Sequence, residues 1–113
     1  GDIKVTIQED GKAVEIPIKE GEMFLLPARV PHQPSRPAGS VGLVIECKRE
    51  DVNMLDGLQW YCEKCNNKLH EYKFHLTNIE KDFLPRFREF YGSTQLRTCK
   101  KCGTVMEADP RFV

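Results

Sequence analysis

The sequence has no excess charge of either sign: Lys and Arg together number 17, and so do Asp and Glu. A neutral chain lacks the long-range field that draws a protein to nucleic acid or an anionic membrane, so neither is an expected partner. No stretch approaches the roughly 20 consecutive apolar residues of a membrane-crossing helix. There is no charged-then-apolar leader of the secretory kind. Internal repeats and low-complexity tracts are missing too, which leaves one domain, or one domain with a small appendage. A disulfide framework is not expected either, since four of the five cysteines stand in metal-type spacing. A soluble protein of a reducing compartment, by default the cytoplasm, is the expectation.

Four of the five cysteines form two CxxC pairs, Cys62-Glu63-Lys64-Cys65 and Cys99-Lys100-Lys101-Cys102. Two residues between thiols let one tight turn aim both sulfurs at one point, and a second such turn completes a tetrahedral four-sulfur site for zinc or iron. The 33 residues between the pairs, Asn66 to Thr98, exceed those of a short zinc finger, so a small subdomain must fold between them. A four-thiolate site has no open coordination position, which favours a structural staple over catalysis. Cys47 stands apart and reads as a small buried hydrophobe.

The first half alternates like half-buried strands. Ile3, Val5 and Ile7 are interleaved with polar residues, Glu9-Asp10-Gly11-Lys12 carries a hairpin signal, and Val14, Ile16 and Ile18 resume the alternation. Glu20-Gly21 marks a turn before the apolar run Met23 to Leu26. A proline-rich loop from Pro27 to Pro37 follows, then Val41 to Cys47 as a buried strand, then a charged linker from Lys48 to Asp51 that reaches about Gly57. Short strands broken by turns indicate an antiparallel sandwich or barrel. Beyond Leu58 the predicted elements are one strand, Lys68 to Leu76, and one helix. Thr77 is read as its N-cap and Glu80 completes a capping box. Pro85 is expected to kink or restart that helix, Gly92 to stop it, and a polar tail to close the chain. Trp60 is read as packing this module against the barrel.

His32 is the residue of greatest chemical interest. It ends a loop stiffened by prolines, and neutral imidazole is a common ligand of iron, zinc and copper. The spacing Gly21-x5-Pro27-x4-His32 resembles the second motif of the cupin superfamily, whose His points into the barrel as a metal ligand; Arg29 stands where that motif usually has Gly. Arg36, four residues on, can face the same cavity and grip a carboxylate with its planar fork. Glu46 either caps a sheet edge in solvent or points inward as a polar group with a function.

Taken in order, Phe24-Leu25-Leu26-Pro27 through Pro31-His32-Gln33-Pro34-Ser35-Arg36-Pro37, then Gly42 to Glu46, Trp60-Tyr61-Cys62-x-x-Cys65 and Cys99-x-x-Cys102 resemble the 3-hydroxyanthranilate 3,4-dioxygenase family over nearly the whole chain. The resemblance implies an all-β fold, a cupin-type antiparallel β-barrel (jelly roll) present in part over residues 1–57. Residues 58–113 would form a small rubredoxin-like metal module built on the four cysteines and containing one helix. It implies an Fe(II)-dependent, extradiol-type dioxygenase that opens 3-hydroxyanthranilate with O2 to 2-amino-3-carboxymuconate semialdehyde, on the kynurenine route to quinolinate and NAD. By position, His32 would ligate the catalytic iron and Arg36 would clamp the substrate carboxylate. Glu46 would contact the substrate's amino or hydroxyl group and move a proton. Cys62, Cys65, Cys99 and Cys102 would hold a second iron or a zinc. The implied partners are a small aromatic substrate and O2, and a homodimer is allowed.

The family's other iron ligands, a His and a Glu, belong to a first cupin motif that ends in glycine. Gly1 matches that glycine, so those ligands are expected ahead of this chain, and the 113 residues alone are expected to lack ring-opening activity. His70 and His75 lie in the cysteine module and do not replace them. Two rival readings are a non-catalytic cupin and zinc-ribbon binding module, and a zinc-ribbon adaptor.

Overall fold

The computed structural model describes residues 1–48 and 54–113, in two compact units, Gly1–Cys47 and Lys48–Val113. Of the expected linker, residues 49–53 lie outside the described residues. Among the described residues no helix is long and apolar enough to cross a membrane.

In the first unit, β1 (Ile3–Glu9) and β2 (Lys12–Ile18) form the expected hairpin, with Asp10 and Gly11 both at positive φ, 51° and 75°. That backbone matches the twist of the strands it joins. The register sets Ile3 opposite Ile18, Val5 opposite Ile16 and Ile7 opposite Val14. Directly paired residues share a face, so all six aliphatics lie on one side. Lys4 and Glu15 are on the other, bridged at 2.9 Å and too exposed for the pair to contribute much stability.

A third strand, β3 (His32–Ser35), pairs with the free side of β1 and gives the order β2-β1-β3. It falls inside the segment expected to be a proline-rich loop. Pro34 sits in β3 and Pro17 in β2, each in a strand at the margin of the sheet. A proline has no N–H to donate, and an edge strand has one side on which none is needed.

The strand expected over Val41 to Cys47 does not form, and the apolar run Met23 to Leu26 is not a strand either. Met23 to Leu26 and Val41 to Cys47 are irregular, and their side chains are largely exposed, with Met23 at 97% and Leu43 at 88%. Neither segment joins the sheet β2-β1-β3 or any other ladder among the described residues. Cys47, expected to be buried, is therefore exposed. The unit is an open three-stranded sheet, part of a cupin-like all-β arrangement.

The second unit closes around aromatic rings. β4 (Asp56–Tyr61) and β5 (Lys68–Phe74) form an antiparallel ladder; β4 starts just ahead of Gly57, where composition alone divides the chain. Helix α1 (Ile79–Tyr91) lays Phe83, Phe87 and Phe90 against it. Phe90 is fully buried and stacks on Trp60 with centroids 4.2 Å apart. Trp60 Nε1 donates to the Tyr91 hydroxyl at 3.2 Å, satisfying the one polar atom of a buried indole. Trp60 is thus the centre of this unit's own core.

The cap of α1 differs from expectation by one residue. Asn78 is the N-cap and accepts from the Lys81 N–H at 3.0 Å. Asp82, rather than Glu80, reaches back to accept from the Thr77 and Asn78 N–H groups, at 2.8 and 3.0 Å. With one carboxylate holding both preceding donors, the turn begins at Asn78. Those two N–H groups also hold the Asp82 carboxyl below the usual range. Pro85 lies within an unbroken helix and Gly92 ends it. Instead of one helix, the described residues of the unit form three: α1, α2 (Thr94–Arg97) and a 3-10 turn at Pro110–Phe112. The tail is anchored, not merely polar, since Phe112 stacks on Tyr91 at 5.7 Å and packs against Phe87 at 4.9 Å.

Candidate functional site

Two knuckles of matching construction bring the four cysteines together. In the first, the Cys62 N–H donates to the Asn67 carbonyl at 2.8 Å and the Asn66 N–H to the Cys62 carbonyl at 2.9 Å. In the second, the Cys99 N–H donates to the Thr104 carbonyl at 2.8 Å and the Gly103 N–H to the Cys99 carbonyl at 2.9 Å. The fourth residue after the leading cysteine turns into the left-handed region in both, Asn66 at φ 63° and Gly103 at φ 79°. Asn and Gly are the residues that adopt this conformation at least cost.

All four sulfurs lie within 4.8 Å of one another, with Cys62 to Cys102 at 3.6 Å and Cys65 to Cys99 at 3.5 Å. Metal–sulfur bonds of about 2.3 Å in a tetrahedron require sulfurs about 3.8 Å apart. Among the described residues this is the one group of three or more His, Cys, Asp or Glu side chains able to hold a metal. Cys62 and Cys99 are buried and Cys102 is exposed.

The thiols divide electrostatically. The Thr104 hydroxyl, 3.2 Å from the Cys102 sulfur, and then the Thr104 N–H bring Cys102 down to about 6. Cys99 is lowered by the Cys102 N–H. At Cys65 the Asn67 N–H favours the thiolate, but burial and the facing sulfurs of Cys99, Cys102 and Cys62 outweigh it and push the thiol up to about 11. Four sulfurs this close cannot all ionise near neutrality without a cation, and a divalent ion with four thiolates resolves the conflict. The donor set fits iron or zinc and leaves no open coordination position.

The other predicted site residues lie in the first unit. His32 opens β3 directly opposite Ile7, so it belongs to the apolar face with Val5, Val14, Ile16 and Pro34. Its Nδ1 is 2.9 Å from the Val30 carbonyl. A carbonyl can only accept, so Nδ1 is the donor in this contact. Metal-binding histidines are commonly oriented by such a bond. The imidazole is exposed at the margin of the sheet, although Ile7 opposite it is buried. Arg29, at the position usually given to glycine, has φ 64°, which explains why the motif prefers glycine there.

Arg36 lies just past β3, and its guanidinium rests against Gly42: a Cβ on that glycine would stand 3.3 Å from Nε and 3.5 Å from Cζ. Gly42 thereby leaves room for the fork, a contact that sequence reading did not find. Glu46 is on the irregular segment and exposed. His70 turns into the aromatic cluster of the second unit, 4.5 Å from the Tyr72 ring, and His75 lies beyond the end of β5. Neither belongs to the candidate site.

The sequence model of the family described as 3-hydroxyanthranilic acid dioxygenase matches residues 1–91. A curated 3-hydroxyanthranilate 3,4-dioxygenase of Xanthomonas campestris pv. campestris is 54% identical over 112 residues, covering 99% of this chain and 63% of its own length. The protein of that name from Neurospora crassa is 41% identical over 111 residues, 98% of this chain and 61% of its own. That from Jannaschia sp. is 43% identical over 106 residues, 93% and 58%. The chain thus spans a little under two thirds of the length of these relatives.

Proposed function

The chain belongs to the 3-hydroxyanthranilic acid dioxygenase family, and on that premise we propose that it is part of a cytoplasmic enzyme that opens the ring of 3-hydroxyanthranilate with O2. The product would be 2-amino-3-carboxymuconate semialdehyde, a precursor of quinolinate and NAD. The observation that carries this reading is His32, an imidazole on the apolar face of a sheet with its Nδ1 bonded to the Val30 carbonyl. His32 is assigned as one donor to a catalytic Fe(II). The described residues do not complete that donor set, since no second histidine or carboxylate joins His32 in a group able to hold a metal.

What this chain supplies is recognition and orientation. Arg36 is assigned the substrate carboxylate, which a guanidinium grips with two parallel N–H donors. Gly42 lets the fork lie close to the backbone, and an oriented ligand reacts faster than one free to turn. Glu46 is assigned the amino or hydroxyl group of the substrate, where a carboxylate accepts a hydrogen bond and can take up a proton. The four cysteines hold a second metal, iron or zinc, as a staple. In its favour, the rival reading of a non-catalytic binding module has the exposure of His32 and Arg36 in this chain. Metal analysis of the protein that carries it separates the two: iron outside the thiolate site supports the enzyme, and zinc at the thiolates alone supports the module.

Arg36→Ala in that protein is expected to raise KM for 3-hydroxyanthranilate about 10- to 100-fold, the loss of a hydrogen-bonded charge pair. An unchanged KM would assign Arg36 to the scaffold.

A further inference from the structure

The two knuckles match in one more respect. The fifth residue after each leading cysteine is Asn67 in the first and Thr104 in the second, and each side chain reaches a cysteine sulfur. Asn67 Nδ2 donates across the site to Cys99 Sγ at 3.8 Å and to its neighbour's carbonyl, Lys68 O, at 3.4 Å. Thr104 Oγ1 lies 3.2 Å from Cys102 Sγ within its own knuckle. In the thiol form the Cys102 S–H is the donor. Once a metal has displaced that proton, the hydroxyl is the group with hydrogen to give, so the contact must invert and donate to sulfur.

We propose that Asn67 and Thr104 are a pair of positioning residues that donate side-chain hydrogen bonds to the metal-bound sulfurs of Cys99 and Cys102, and so set the metal affinity and redox balance of the four-sulfur centre. The proposal rests on the reading of that centre as a metal site. Four thiolates around a divalent ion leave a net double negative charge, and a trivalent ion leaves one less. Donors aimed at sulfur stabilise the more negative, reduced state more strongly. They also keep an exposed sulfur such as Cys102 from exchanging its metal bond for water or a proton.

The test uses the full chain loaded with iron or with zinc, comparing wild type with Asn67→Leu, Thr104→Val and Thr104→Ser. The iron reduction potential is followed through the thiolate-to-iron charge-transfer absorption. Zinc release to a chromogenic chelator gives a second readout. Asn67→Leu and Thr104→Val should each move the potential negative and speed zinc release, by about 10-fold or more. Thr104→Ser, which keeps the hydroxyl, should restore both. If Asn67→Leu and Thr104→Val keep the wild-type potential and release rate, the donor role is wrong. It is equally wrong if Thr104→Val and Thr104→Ser fail together, because the position would then be steric. A wild-type chain that binds neither metal would instead overturn the metal site itself.

Discussion

In the first unit Ile7 is the one buried hydrophobic residue among those described, whereas the second unit buries Trp60, Phe74, Phe90, Cys62 and Cys99. The contrast follows from where each unit finds its partners. β4, β5 and α1 succeed one another along the chain, and their rings meet through short connections. The four-sulfur site then closes that loop, so the unit completes its own core. The sheet of the first unit places its aliphatic residues and His32 on one face that is mostly half-buried, and Leu25, Leu43 and Ile45 are exposed. A self-contained module thus accompanies a sheet with little buried core of its own.

The largest effect should come from removing the staple. Stripping metal with a strong chelator, or Cys99→Ser with Cys62→Ser, is expected to abolish the cooperative unfolding of the second unit, since binding and folding energy are coupled at such sites. Retained near-ultraviolet dichroism from Trp60 after chelation would show that the aromatic core stands without the metal. Next in size, Phe90→Ala should destabilise the second unit by about 3–5 kcal/mol in denaturant titration. Leu43→Ser in the first unit, at a side chain 88% exposed, should stay within about 0.5 kcal/mol of wild type. Equal effects would dissolve the contrast between the units.

The smallest effect concerns pH. The Thr77 and Asn78 N–H groups favour the ionised Asp82, so its folded-state pKa is depressed. Its contribution is present above the ordinary carboxylate value, about 3.9, and is lost as pH falls through the lower folded value. Thermal melts of wild type and Asp82→Asn should therefore differ at pH 7 and converge well below pH 4. A constant difference across that range would assign Asp82 a role independent of its charge.

What the residues disclosed in advance was mostly local. The β1–β2 hairpin was legible because period-two alternation and Asp10-Gly11 agree. The knuckles were legible because CxxC spacing dictates a tight turn, and they are brought together as that spacing implies. β3 was hidden by prolines that an edge strand tolerates. The helix start was displaced by competition between two consecutive capping residues, Thr77 and Asn78, settled by the reach of Asp82. Val41 to Cys47 reads as a buried strand because it is apolar, but burial depends on a distant partner that no local pattern specifies. The packing of Phe112 on Tyr91 and of Gly42 beneath Arg36 are tertiary facts without a sequence signature. The Val30 carbonyl that holds the His32 ring was not legible either.

The most direct test is His32→Ala in the protein that carries this chain, with iron counted at the mononuclear and thiolate sites separately and ring opening followed at saturating 3-hydroxyanthranilate. The account predicts loss of mononuclear iron and of activity while the four cysteines stay loaded. Full activity with unchanged iron at both sites would contradict it.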